Sequence, residues 1–180
     1  MAIGATLHTF AVQLSDVDRG VYQELDLRLA RHPSETAEFL VTRLLAYCLE
    51  YEEGITFSDG GVSSADEPAV LVRDLTGRVT AWIEVGAPDA DRVHRGSKLA
   101  DRVAVYTHRD PVKVLASLSG KRIHQAETIP LYSVDRAFVD AAAARLERRN
   151  NATLSVLERQ LYLQLNGTDL TAPIAEHPLA

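Results

Sequence analysis

Residues 69–107 constrain the fold more than any other stretch of the chain. Val79, Ala81, Ile83 and Val85 alternate there with Thr80, Trp82 and Glu84. A period of two is the signature of a strand, so these residues face opposite sides of a sheet. The preceding strand, residues 69–74, is joined to it by a turn at Thr76-Gly77. A turn that short returns the chain antiparallel. After the second strand the spacing changes. A helix opens at Pro88 or Asp89 and runs to about Ala100, and RVAVYT at residues 102–107 is again a strand. A helical crossover of that length carries the chain back far enough for parallel pairing. The segment therefore commits the chain to a mixed sheet with a helix on one face. Glu84 projects from the face opposite the aliphatic row, on the same side as the only Trp.

The flanking sequence extends this sheet at both ends. Residues 5–14 and 21–29 alternate, with Phe10, Val12 and Leu14 on one face of the first run and Val21, Leu25, Leu27 and Leu29 on one face of the second. Asp18-Arg19-Gly20 between them suits a turn, which predicts an antiparallel hairpin. Pro33 interrupts the second run, and Ser34-Glu35 suits a helix start. The helix is expected to reach about Glu52, with Ala37, Val41, Leu44, Leu45, Cys48 and Tyr51 as its buried stripe. Gly54 ends it. Residues 55–57 form a short strand and residues 58–65 a small, polar loop. Further on, Asp110-Pro111 starts a helix. Residues 123–132 are extended, and Pro130 marks them as an edge. Asp135 caps a helix running to Arg149. Residues 152–157 and 161–165 pair as a hairpin, Asn166-Gly167 turns, and the last ten residues form a loose tail. No repeat or low-complexity segment is present. The reading is a single domain, 1–180, of α/β (α+β) class, with an αβββαβ core on a mixed sheet, an added N-terminal hairpin, and a C-terminal helix plus hairpin.

Composition narrows the function. One cysteine, Cys48, rules out an intrachain disulfide and a cysteine-based zinc cage, and its place on the helical stripe makes it core. No apolar run reaches the ~18 residues of a membrane span, and no basic leader precedes an apolar segment, so the expected setting is cytoplasmic with no membrane partner. The six histidines form no pair at ligand spacing, and a lone histidine is more often a surface or core residue than a ligand; His32 before Pro33 is the one candidate among them. There is no GxSxG, P-loop or GxGxxG. The net charge of −6 is unevenly distributed. From Arg92 to His124 the chain carries eight Lys/Arg against Asp101 and Asp110, a local +6, and −12 falls elsewhere. That basic segment, from Arg92 to Arg122, could face the phosphates of DNA or RNA, or simply be two solvated helices.

Carboxylates cluster around the central strands. Asp66 and Glu67 stand before the first of them, Glu84 lies on the second, and Arg92, Arg95 and Lys98 follow on the helix. At 100° per residue, Arg92 lies at the margin of the helix's apolar side, Arg95 further round, and Lys98 nearly opposite. Glu38 sits about a quarter-turn from the stripe of the first helix. One reading is a metal site with phosphate-binding cations. The other is a salt bridge from Glu84 to Arg92 or Arg95 that fixes helix to sheet.

The strings RHPSET at residues 31–36, RLLAY at 43–47, DEP at 66–68 and WIEVGAPDADR at 82–92 resemble the YaeQ family, a small bacterial family, along the whole chain. The αβββαβ order is also that of the restriction-endonuclease-like superfamily, written PD-(D/E)XK, of which YaeQ is taken to be a variant. The resemblance implies an acid at the start of the second core strand, Asp66 or Glu67, and another on the third, Glu84. These would hold Mg²⁺, with Glu38 as a further ligand. Glu67, Glu84 and Arg95 would be catalytic, and Arg92 and Lys98 would bind substrate. Two carboxylates suit Mg²⁺, which keeps most of its waters and takes phosphate oxygens. The sequence departs from that pattern at Gly86, where acid-x-Lys requires lysine. Arg95 is the stand-in, and an arginine stays protonated and cannot act as a general base. The function implied is Mg²⁺-dependent phosphodiester hydrolysis of nucleic acid. The alternative is a catalytically silent regulator that binds nucleic acid or a protein.

Overall fold

The computed structural model describes residues 4–58 and 66–180. In chain order its elements begin with β1 (Thr6–Asp16), β2 (Val21–Arg31), α1 (Ala37–Leu49), β3 (Ile55–Phe57), β4 (Val70–Arg73), β5 (Val79–Val85) and α2 (Ala90–Leu99). They continue with β6 (Arg102–Thr107), α3 (Pro111–Leu118), β7 (Pro130–Val134), α4 (Arg136–Ala143), β8 (Arg149–Leu157), β9 (Gln160–Leu165) and β10 (Thr168–Pro178). This is a mixed α/β protein. The chain gathers into two compact units, Met1–Val41 with Val134–Ile174, and Thr42–Ser133 with Ala175–Ala180. Most of the expected loop at residues 58–65 lies outside the described residues.

In the first unit the N-terminal hairpin forms as the alternation predicts. β1 and β2 pair antiparallel from Thr6↔Arg31 to Asp16↔Val21. Phe10, Val12, Leu14, Leu25, Leu27 and Leu29 are buried on one face. Each such side chain contributes about 1.5–3 kcal/mol on burial. β8 lies parallel to β1, from Thr9↔Arg149 to Asp16↔Val156, and antiparallel to β9. Both residues of the β8–β9 turn, Glu158 and Arg159, have positive φ, as do Asn166 and Gly167 before β10. Two successive positive φ values give the turn twist that tight hairpins favour. The Asp18 carboxylate accepts the backbone N–H groups of Glu158 and Arg159 at 2.7 and 2.9 Å. Those bonds, Arg159's first, hold its carboxyl below the usual range.

Four boundaries differ from expectation. α1 begins at Ala37 rather than at Ser34, because Thr36 Oγ1 accepts the Phe39 N–H and serves as the cap. α4 stops at Ala143 rather than Arg149. There the Asn150 side chain accepts from the Glu147 N–H and donates to the carbonyls of Glu147 and Thr9, which turns the chain into β8. The expected tail is β10, an 11-residue strand with Ala172 and Ile174 buried. β7 is not an edge either, since it pairs with β6 and neighbours β10. Pro130 is its first residue, where a missing N–H costs no ladder bond.

In the second unit β3, β4 and β5 form an antiparallel meander. β6 lies parallel to β5, and β7 parallel to β6. The last residues of β10 stand beside β7. β5 and β6 are buried on both faces over most of their length, as strands of a covered parallel pair are. On one face Trp82, Val103, Val105 and Leu131 form a core with Val93 of α2 and Val114 and Leu118 of α3. The other face carries Tyr106, whose hydroxyl donates to the buried Glu50 carboxylate at 2.8 Å, while Arg102 pairs with the same carboxylate. Burial, reinforced by Glu50, pushes the Tyr106 hydroxyl well above its ordinary value. Among the described residues no helix is long and apolar enough to cross a membrane.

Candidate functional site

The strand period sets Trp82 and Glu84 on one face of β5, as the alternation requires. α2 closes over that face. Gly96 makes the close approach possible, because a Cβ there would stand 2.5 Å from Trp82 Cδ1. Asp89 caps the helix by accepting the Arg92 N–H at 2.9 Å. That fixes Arg92 in the first turn, above Glu84. Its Nε donates to Glu84 Oε1 and Oε2 at 3.2 and 3.3 Å, and its Nη2 donates to the Glu67 carbonyl at 2.8 Å. Trp82 Nε1 donates to Glu84 Oε1 at 2.8 Å. Glu84 is 3% exposed. Burial holds its carboxyl above the usual range, against the opposing pull of Arg92 and the Trp82 hydrogen bond. Desolvating a carboxylate costs several kcal/mol, and the Arg92 guanidinium offsets only part of it.

The other predicted acids lie farther out. Glu67 is half-buried, and its Oε1 accepts from Arg73 at 3.3 Å. Asp66 is exposed, with Arg95 Nη1 at 3.6 Å, an ion pair beyond hydrogen-bond reach. Lys98 is exposed, as the helical plot predicts. Glu38 lies in the first turn of α1, half-buried, in the part of that helix belonging to the first unit. The structure thus brings Glu84, Arg92 and the Glu67 main chain together, with Asp66 and Arg95 paired nearby. Among the described residues, no three His, Cys, Asp or Glu side chains gather closely enough to hold a metal ion.

Gly86 has a structural reason. Its φ is +89°, and its N–H donates to the Tyr106 carbonyl at 2.8 Å. The chain leaves β5 through a left-handed residue, which a lysine adopts only under strain. The cation that reaches Glu84 lies on α2, and it is Arg92 rather than Arg95. The helical plot already puts Arg92 nearest the sheet. Sequence reasoning missed the pairing of Glu50 with Arg102 and Tyr106. Arg102 opening a strand that ends near Tyr106 is the only available signal.

Of the eight cations in the basic segment, Arg92 and Arg102 are committed to buried acids. Arg95, Lys98, Arg109, Lys113, Lys121 and Arg122 are exposed. His94 Nδ1 accepts the His124 N–H at 3.1 Å, which docks the segment after α3 against α2. Lys98 lies one turn beyond His94 on α2, and Lys121 and Arg122 lie shortly before His124.

Fold and site together define a mixed α/β protein in which a buried acid–arginine clamp ties a crossover helix to its sheet. A family model described as "YaeQ protein" matches residues 1–174. The chain belongs to the YaeQ family. It is 37% identical over 108 residues to "Uncharacterized protein YaeQ" of Escherichia coli (strain K12) and, equally, to that of Shigella flexneri. The match covers 60% of this chain and 59% of each relative. The crystal structure of YaeQ protein from Pseudomonas syringae superposes with a TM-score of 0.84 at 30% identity, covering 96% of this chain and 95% of that one. The YaeQ structure from Xanthomonas axonopodis pv. citri gives 0.81 at 26%, covering 96% and 98%.

Proposed function

We propose that this member of the YaeQ family is a restriction-endonuclease-like domain that binds nucleic acid without cutting it, because the Arg92 guanidinium occupies the carboxylate a catalytic metal would need. The order α1-β3-β4-β5-α2-β6, with an antiparallel meander and a parallel fourth strand, supports the PD-(D/E)XK core. The observation that carries the functional reading is the Arg92 guanidinium, bonded at once to the Glu84 carboxylate and the Glu67 carbonyl. On this reading the guanidinium ties the Glu84 carboxylate to the main chain at Glu67, while the Glu67 carboxylate faces Arg73. Both Glu84 oxygens are taken, so the donor set as arranged does not fit Mg²⁺, and no hydrolytic step is routed through one. An arginine supplies charge but neither activates water as a metal does nor accepts a proton. What remains is electrostatic binding by Lys98, Lys121 and Arg122, which are exposed.

The test is fluorescence anisotropy with labelled duplex DNA, single-stranded DNA and RNA over a salt series. Binding should weaken with salt. Lys98→Glu with Lys121→Glu and Arg122→Glu should flatten the slope on duplex DNA by ~0.9 for each phosphate no longer neutralised. Gel analysis with Mg²⁺ or Mn²⁺ should show intact oligonucleotide. Metal-dependent cleavage that disappears in Glu84→Ala would establish the phosphodiesterase reading instead. Absence of binding at low salt would leave a protein-binding regulator.

A further inference from the structure

The first unit carries a second surface unrelated to the acid–arginine clamp. β1 and β8 lie side by side in parallel, and their residues alternate between the buried core and an open face. On that open face the register sets Gln13 beside Thr153 and Ser15 beside Ser155, with Ala11 beside Asn151. Over these three rungs, the two strands present only small or uncharged polar groups. The longer side chains stand to either side: Tyr22, Glu24, Asp26 and Arg28 on β2, and Tyr162 and Gln164 on β9. The result is a trough floored by β1 and β8. Its middle is a cavity of about 410 Å³ lined by Gln13, Glu24, Asp26, Asn151, Thr153 and Gln164. Contiguous hollows extend it toward Tyr22 at one end and toward Arg28 and Arg149 at the other. Tyr22 to Arg28 spans six residues of one strand, about 20 Å.

The charge along this trough is ordered. Tyr22 offers a 60% exposed ring at one end. Two carboxylates and several amides occupy the middle, with no cation among them. At the far end Arg28 and Arg149 both register with Thr9, one on each side of it. A nucleic-acid strand would place phosphates over Glu24 and Asp26. A polyamine would be repelled by the paired arginines. An extended peptide satisfies its backbone at a sheet edge rather than on a face. A polyhydroxylated chain fits every part: a ring face on the tyrosine, hydroxyls on carboxylates and amides, and an acidic group between the arginines.

We infer that the open face of β1, β2, β8 and β9 is a binding site for a short oligosaccharide with an acidic sugar at the Arg28–Arg149 end. The test is calorimetric titration of the full chain with 3′-sialyllactose, whose one carboxylate is on its terminal sugar, alongside maltotriose, a single-stranded DNA hexamer and spermidine. Sialyllactose should bind most tightly. Arg28→Ala with Arg149→Ala should lower its affinity at least tenfold, to that of maltotriose, and Asn151→Ala should weaken both sugars. Thr153→Glu, which fills the floor with charge, should abolish binding without shifting the melting temperature. The inference is overturned if neither sugar binds, if the double arginine variant binds sialyllactose as the parent does, or if the hexamer or spermidine binds more tightly than the sugar. It shares no residue with the basic surface of α2 and the segment after α3, so either can fail alone.

Discussion

Arg92→Ala is the perturbation whose cost the structure defines best. It removes the guanidinium that donates to both Glu84 oxygens and to the Glu67 carbonyl. Glu84, 3% exposed in the parent, would keep the Trp82 N–H as its remaining described donor. Breaking a buried ion pair by removing one partner costs about 3–5 kcal/mol. The Arg92 side chain is itself 24% exposed, so part of its charge is already solvated. That places the expected loss at the lower end, about 3 kcal/mol, or a fall in Tm of about 6–12 °C for a chain of this size. The loss also has a pH signature. Burial raises the Glu84 carboxyl above its ordinary value, so between that value and the raised one the folded state holds a proton that the unfolded chain has released. Stability therefore falls as pH rises through that window. Without Arg92 the window extends upward, and the variant's deficit should be larger at ~pH 8 than at ~pH 5. Denaturant unfolding followed by the single Trp, which lies in this unit, measures both. Gln at position 84 keeps a carbonyl for Trp82, so Glu84→Gln combined with Arg92→Met should regain about half the loss. A variant within about 0.5 kcal/mol of the parent at both pH values would refute the clamp.

Gly96→Ala drives a methyl into Trp82, and the expected cost is about 1–3 kcal/mol with a shift in Trp emission. Removing the Tyr106 hydroxyl in Tyr106→Phe should cost about 2 kcal/mol by denaturant unfolding, because Glu50 loses a charge-assisted bond while staying buried. For Asp18, whose folded carboxyl is lowered, the contribution to stability is present above the ordinary carboxylate value and lost as pH falls through the lowered one. The amide shifts of Glu158 and Arg159 should report that titration by NMR in the parent and lose it in Asp18→Asn.

The hairpins and the central meander are legible because their periods are clean. Phe10, Val12 and Leu14 alternate without interruption, and Trp82 and Glu84 must share a face. What the sequence hides depends on partners far along the chain. β8 pairs with β1 across about 140 residues, a distance no local pattern reports. β10 reads as a tail because Pro173 and Pro178 break its alternation, although Asn166-Gly167 already announces a hairpin. The residues after Ala143 favour helix on propensity, and the Asn150 bridge to Thr9 overrides it. At the site, charge and helical angle identify Glu84 and Arg92. Whether they stand apart, open to a metal, or bond to each other depends on how closely α2 approaches β5. That distance is set by Gly96, which in the sequence is only one member of an apolar helical side.

The central claim is that Arg92 takes the cation's place beside Glu84. Titration with Mn²⁺, followed by Trp fluorescence and melting temperature in the parent and in Arg92→Ala, tests it directly. The account predicts no response in the parent and little in Arg92→Ala, since among the described residues no three carboxylates gather beside Glu84. A parent stabilised by about 2.7 kcal/mol at a hundredfold excess over the dissociation constant would contradict it, since a metal would then bind with Arg92 present.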